Sequence, residues 1–211
     1  RHPSGLAVYI RNSSTSPAAL EGFLSKPIIS LKSLGSDTVG GSSGGSSTTI
    51  TEDNQILETI TSLSNGATVT SIKGDTLTFT DVTAQLQLGT SVIDIPGSTV
   101  VYRPPDDTNV LEYTFKFYQD GYSSGAYQSG CYSVYVDDVA LGQFTIKNHD
   151  RGSNANILEI TAVFKIGGGY ANGTTPNATH GEFASWTTTK TIKIRGRNHQ
   201  SNSNYTVKLF Q

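Results

Sequence analysis

The sequence predicts an all-β fold, an antiparallel two-sheet sandwich preceded by an extended N-terminal arm. Three observations lead there. Charged residues make up 15% of the 211, against roughly a quarter in an average globular protein. Gly, Ser, Thr and Asn are abundant instead, and these residues weaken helices or divert backbone hydrogen bonds into local turns. From Gln55 onward the apolar residues recur with a period of two, the spacing of a half-buried strand, and no long amphipathic helix interrupts them.

Taken in order, residues 1–34 are expected to form the arm. Apolar patches lie at Leu6-Ala7-Val8-Tyr9-Ile10 and at Ile28-Ile29, separated by Pro17, a helix-compatible Ala18-Ala19-Leu20-Glu21 and Pro27. Patches this short cannot make an independent core and need a neighbouring surface. Leu6, Val8, Tyr9, Ile10, Ile28 and Ile29 are therefore the candidate docking residues of the arm. Residues 35–50 read as a linker centred on Gly40-Gly41-Ser42-Ser43-Gly44-Gly45-Ser46-Ser47, a composition that makes a flexible tether. A phosphate-cradling loop is disfavoured there, because no Gly-Lys-Ser or Gly-Lys-Thr follows and no strand-loop-helix context surrounds it.

Residues 51–211 are expected to be the head. Gln55 to Ser62, then Asn65-Gly66, then Ala67 to Ile72 predict a hairpin closed by a tight turn. Short strands are expected at Thr76–Val82, Ala84–Leu88, Ser91–Ile95 and Ser98–Tyr102, each bounded by Gly, Asp or Pro. Longer ones follow at Val110–Tyr118, Cys131–Val136, Gly142–Lys147, Ile157–Ile166, Thr188–Arg195 and Tyr205–Phe210. Alternation puts Leu111, Tyr113, Phe115 and Phe117 on one core face, and Leu158, Ile160, Ala162, Phe164 and Ile166 on another. About ten strands without intervening helices cannot make parallel βαβ units, which leaves two packed antiparallel sheets or a barrel; a jelly-roll-like sandwich is the expectation.

Composition also narrows the function. The formal net charge is −2 with the two signs interspersed, unlike the basic stripe that neutralises phosphates, so no nucleic-acid partner is expected. No apolar run reaches the roughly 20 residues that cross a bilayer, and Arg1-His2-Pro3-Ser4-Gly5 lacks the apolar core of a signal peptide. No membrane partner is expected either. Cys131 is the only cysteine, which excludes an internal disulfide.

Several segments of the head carry a resemblance. They are Val82-Thr83-Ala84-Gln85, Ile95-Pro96-Gly97-Ser98, Val101-Tyr102-Arg103-Pro104-Pro105 and Tyr113-Thr114-Phe115-Lys116-Phe117, then Tyr135-Val136-Asp137-Asp138, and Ser185-Trp186 leading into Lys190-Thr191-Ile192-Lys193-Ile194-Arg195. In order and spacing, from about Gln55 to the end, they resemble a β-sandwich module of structural proteins from marine bacteriophages and large DNA viruses of algae. The resemblance implies a virion component on the capsid exterior, a penton subunit, decoration protein or fibre head. It implies a homo-oligomer, trimer or pentamer, contacting other capsid proteins, with no enzymatic activity and no cofactor. Asp138 departs from the pattern by replacing a turn glycine, and relatives are expected to continue into further strand where this chain ends.

Candidate chemistry is sparse. Tyr135-Val136-Asp137-Asp138 matches the carboxylate pair with which reverse transcriptases hold two metal ions, but the helical palm and basic channel are missing, so acids capping a hairpin are expected. Asp106-Asp107 and Asp120 are calcium candidates without the twelve-residue loop pattern. His2, His149, His180 and His199 show no metal spacing. Asn172-Gly173-Thr174 and Asn177-Ala178-Thr179 match the N-glycosylation pattern by chance in so Asn- and Thr-rich a chain. Tyr118, Tyr122, Tyr127 and Tyr132 are interleaved with Ser and Gly, the chemistry of adaptable recognition loops. They are the candidate receptor or partner contact, with a host surface glycan among the possible partners. The competing reading packs them under strands or at a subunit contact. Trp186 is expected in the core. Lys190, Lys193, Arg195 and Arg197 form a small basic cluster, a solvated strand face unless an acidic neighbour or anionic glycan meets it. A carbohydrate-binding adhesin or lectin is the alternative function.

Overall fold

The computed structural model describes residues 26–39, 50–121, 127–142, 145–151, 156–199 and 207–210. They form β1 (Ile28–Val39), β2 (Ile50–Leu63), β3 (Thr68–Thr70), β4 (Thr76–Thr78), β5 (Leu86–Leu88), β6 (Ile93–Asp94), β7 (Val100–Tyr102), β8 (Thr108–Gly121), β9 (Tyr127–Val136), β10 (Val139–Ala140), β11 (Ile146–Arg151), β12 (Asn156–Ile166), β13 (Glu182–Phe183), β14 (Lys190–Asn198) and β15 (Val207–Leu209). A 3-10 turn, Ala178–His180, precedes β13. The protein is all-β, and among the described residues the pairings are antiparallel except for the two-residue contact of β13 with β12.

Two sheets account for most strands. In a seven-stranded sheet, β8 lies at the centre with β12 along one edge. Its other edge is shared, with β1 pairing residues 108–116 and β15 pairing residues 119–121. β2 flanks β1, and β5 flanks β15. In a six-stranded sheet, β9 and β14 are central neighbours, β10 and β11 share the outer edge of β9, and β6 and β7 share the outer edge of β14. β3 and β4 make a separate hairpin.

Alternation explains why the sheets meet. Leu111, Tyr113, Phe115 and Phe117 of β8 and Ile160, Ala162, Phe164 and Ile166 of β12 face a single core with Tyr132, Val134 and Val136 of β9 and Ile192 and Ile194 of β14. Each large aliphatic or Phe side chain buried there contributes about 1.5–3 kcal/mol. Three core tyrosines also bond across the gap. Tyr113 donates to the Ser98 carbonyl at 2.6 Å, Tyr102 to Glu58 at 2.6 Å, and Tyr132 to the Gln119 side chain. The Tyr132 ring needs Gly196 beneath it, because a Cβ there would lie 2.8 Å from its Cδ1 and 2.9 Å from Ile95 Cδ1.

Two expectations need correction. The arm was expected to run to residue 34 and the linker from 35 to 50, yet residues 28–39 are β1, an interior strand between β2 and β8. Ile29 and Leu31 are fully buried in the head, and Gly35 pairs with both Gln55 and Thr108. Val39 sits opposite Ile50, so the Gly/Ser tract joins the two ends of one hairpin instead of separating an arm from a head. Asn65-Gly66 does not close a hairpin either: β2 pairs with β1, and β3 pairs with β4. Asn65 Oδ1 accepts from Ala67 N, Gly66 takes φ +82°, and the segment turns a corner from one pair to the next. The tight turn falls at Ser71–Asp75, whose ends bond to each other.

Candidate functional site

The outer face of the seven-stranded sheet is a grid four strands wide, fixed by register. One row is Glu159, Lys116, Ile28 and Leu63, running from β12 through β8 and β1 to β2. The next is Thr161, Thr114, Ser30 and Thr61, where hydroxyls meet at 3.1 Å between the Thr pair and 3.0 Å between Ser30 and Thr61. Then come Val163, Glu112, Lys32 and Thr59, and last Lys165, Val110, Leu34 and Ile56. The face therefore mixes aliphatics with both signs of charge, and Lys116 pairs with Glu159 at 2.6 Å. Ile157 and Ile56 are 73% and 61% exposed, so part of the apolar surface of this face is left uncovered within the chain. At one end a shallow depression of about 200 Å3 is lined by Lys26, Ile28, Leu63, Lys116, Tyr118 and Ile157.

The four tyrosines do not form one loop surface. β8 runs on to Gly121 and β9 begins at Tyr127, so most of the expected loop is strand. Tyr132 is fully buried and belongs to the core, which removes it as a receptor contact. Its side chain points inward because alternation in β9 places it with Val134 and Val136. Tyr118 is half-buried on the opposite, outer face and lines the depression. Tyr127 pairs through its backbone with Arg151, and Tyr122 lies outside the described residues. Of the arm residues, Ile29 is core and Ile28 is in the grid, 37% exposed. Leu6, Val8, Tyr9 and Ile10 lie outside the described residues.

The outer face of the six-stranded sheet carries the basic cluster, and acids meet it. Lys193 contacts Asp94 at 3.1 Å and Asp138 at 2.9 Å, while Arg195 contacts Asp94 at 2.6 Å and also pairs with Asp138. Arg195 lies 4.5 Å from the Tyr135 ring centroid, stacked as a cation over its face. Lys190 pairs with Asp137 at 2.9 Å. Arg195 holds the Asp94 carboxyl below the usual aspartate range, and Lys193 does the same for Asp138. Asp137 and Asp138 occupy the two-residue turn between β9 and β10 with φ 47° and 66°. Positive φ at both positions is the hairpin geometry that normally takes Asn-Gly, and the acids face lysine and arginine there as expected of a capped turn.

Other candidates disperse. Asp106 and Asp107 precede β8 and Asp120 sits near its far end, about 40 Å away at the rise of a strand, so they cannot share a cation. Asp106 pairs instead with Lys73 at 2.7 Å. Asn177 Oδ1 accepts from Thr179 N and Oγ1, so that Asn-x-Thr caps the 3-10 turn. Trp186 is buried, as expected, and donates to the Tyr102 carbonyl at 3.1 Å. Sequence reasoning missed one contact, Cys131 Sγ to His199 Nδ1 at 3.4 Å. The two are far apart in the chain and joined only by the β9–β14 register, which no local signal encodes. It also missed Glu58, a buried carboxylate on an otherwise ordinary strand.

Compared with protein-family models and with curated proteins, the chain matches none.

Proposed function

We propose that this chain is a non-enzymatic structural protein of the virion exterior, a jelly-roll head that assembles with copies of itself as a trimer or pentamer. The observation that carries this reading is the nesting of its strand pairs. β9 pairs with β11, β8 with β12, β7 with β14 and β5 with β15, each pair antiparallel and each enclosing the previous one in sequence. Successive pairs alternate between the six- and seven-stranded sheets. That winding is how a jelly roll is built, an architecture that capsid and lectin domains share. β1 and β2 are an added hairpin that widens one sheet.

A fold alone does not fix a function, so the reading also leans on the resemblance of the head to viral structural modules and on the grid of the seven-stranded sheet. Exposed aliphatics between charges of both signs suit contact with a neighbouring copy, which in a closed ring of three or five presents a different patch to this one. Other capsid proteins are the further partners, and a host receptor is a possible outer contact. Negative-stain electron microscopy of the concentrated protein tests it. Rings or shells of defined rotational symmetry are expected, and a uniform field of single small particles would overturn the assembly reading.

A further inference from the structure

A cavity borders the last row of the grid, at the end of the sandwich where β12 leaves the sheet. It measures about 450 Å3 and is lined by Asn109, Val110, Lys165, Ile166, Gly167, Gly168 and Gly169. A second cavity of about 190 Å3 shares Ile166 and Gly167 with it and continues past Pro104, Asp107, Ser185 and Trp186. Together they make one groove between the strand entering β8 and the loop leaving β12.

We propose that this groove binds a neutral carbohydrate. Three features support a built site. Asn109 Oδ1 is a buried oxygen with no hydrogen-bond partner, the only such side-chain atom among the described residues. Buried acceptors are almost always paired, and rotation about χ2, which is broad for Asn, turns this one toward a donor in the groove.

The wall opposite is fixed. Gly167 N donates to the Phe183 carbonyl at 3.0 Å, and Lys165 Nζ donates to the Gly169 carbonyl at 2.6 Å. The returning loop is tied down by Glu182, a buried carboxylate that accepts from Ala171 N at 2.6 Å and Asn177 N at 3.2 Å. Tyr170 donates to the Phe183 carbonyl at 3.0 Å. A site held this way does not have to be ordered on binding.

The lining selects the ligand class. Val110, Ile166 and the rings of Pro104 and Pro105 present apolar surface, while the Asn109 amide and the glycine backbone present donors and acceptors. The Lys165 ammonium and the Asp107 carboxylate put one charge of each sign on the lining, and Asp106 pairs with Lys73, so no net charge singles out an ionic ligand. A pyranose has the matching character, with C–H faces for the apolar wall and hydroxyl donors for Asn109. The inference does not depend on the assembly reading.

Saturation-transfer NMR on the full chain, with glucose, galactose, mannose and N-acetylglucosamine as probes, tests it. Gly168→Leu fills the groove: Gly168 has ordinary φ and open space where a Cβ would stand, so the variant folds. Asn109→Leu removes the acceptor. At least one probe is expected to give transfer, with affinity weakened about tenfold or more in each variant, the usual effect of an unpaired ligand hydroxyl or a blocked pocket. Silence from every probe, or transfer unchanged in Gly168→Leu at an unchanged melting temperature, would overturn the proposal.

Discussion

The Tyr102 hydroxyl donates to Glu58 Oε2 at 2.6 Å, joining β7 of one sheet to β2 of the other inside the core. The same hydroxyl lies 2.8 Å from Ser33 Oγ on β1, and Glu58 Oε1 accepts from Ile72 N at 2.6 Å. One buried carboxylate thus ties both sheets to the β3–β4 hairpin.

Tyr102→Phe removes a donor that a buried carboxylate uses and leaves Ser33 without its partner. The expected loss is about 1–3 kcal/mol of folding stability, read as a lower midpoint in denaturant with an unchanged slope. A wild-type midpoint would show that the link carries no net stability.

Burial raises the hydroxyl pKa of Tyr102, Tyr113 and Tyr132 above the ordinary value of a tyrosine. A group whose pKa is raised in the folded chain contributes its full stability below the unfolded pKa, about 10, and loses it as pH climbs beyond. Absorbance of tyrosinate is therefore expected to rise in two stages, exposed rings near pH 10 and the three core rings later, together with loss of β circular dichroism. A single stage before any unfolding would contradict their burial.

Asp94 and Asp138 titrate in the opposite sense. Arg195 and Lys193 hold their carboxyls below the usual range, so their stabilisation is present above the unfolded pKa and disappears as pH falls through about 4 and below. Asp94→Asn combined with Asp138→Asn is expected to flatten the fall of melting temperature between about pH 5 and 3, and salt is expected to shrink the difference because these side chains are largely exposed. An unaltered acid limb would show that these ion pairs add nothing.

At the β9–β10 turn, positive φ and ion pairing favour different residues. A β-branched residue held at positive φ costs on the order of 1–3 kcal/mol. Asp138→Gly relaxes the backbone and loses the contacts to Lys193 and Arg195, so it is expected to melt close to wild type, with Asp138→Val clearly below both. Equal melting of the Gly and Val variants would mean the turn conformation is not held in solution.

How much was legible follows from where the information sits. β8 and β12 were readable because Leu111 to Phe117 and Leu158 to Ile166 alternate over long runs, and a one-residue slip would expose the whole face. β1 was not. Its inward residues are Ile29, Leu31 and Ser33, a pattern cut short by Gly35 and the tract beyond, so composition suggested a tether where register makes a hairpin. Asn65-Gly66 misled because a dipeptide suited to positive φ serves a corner as well as a hairpin. The grid was invisible for a different reason: its rows join residues from four strands, and only pairing sets Glu159 beside Lys116 and Ile28 beside Leu63.

The assembly reading turns most directly on the native mass of the wild-type chain and of Ile157→Lys, measured side by side by light scattering. Ile157 is mostly exposed, so the substitution leaves folding intact. The account predicts a trimer or pentamer for wild type and a monomer for the variant at equal melting temperature; a monomeric wild type, or an oligomer indifferent to the added charge, would contradict it.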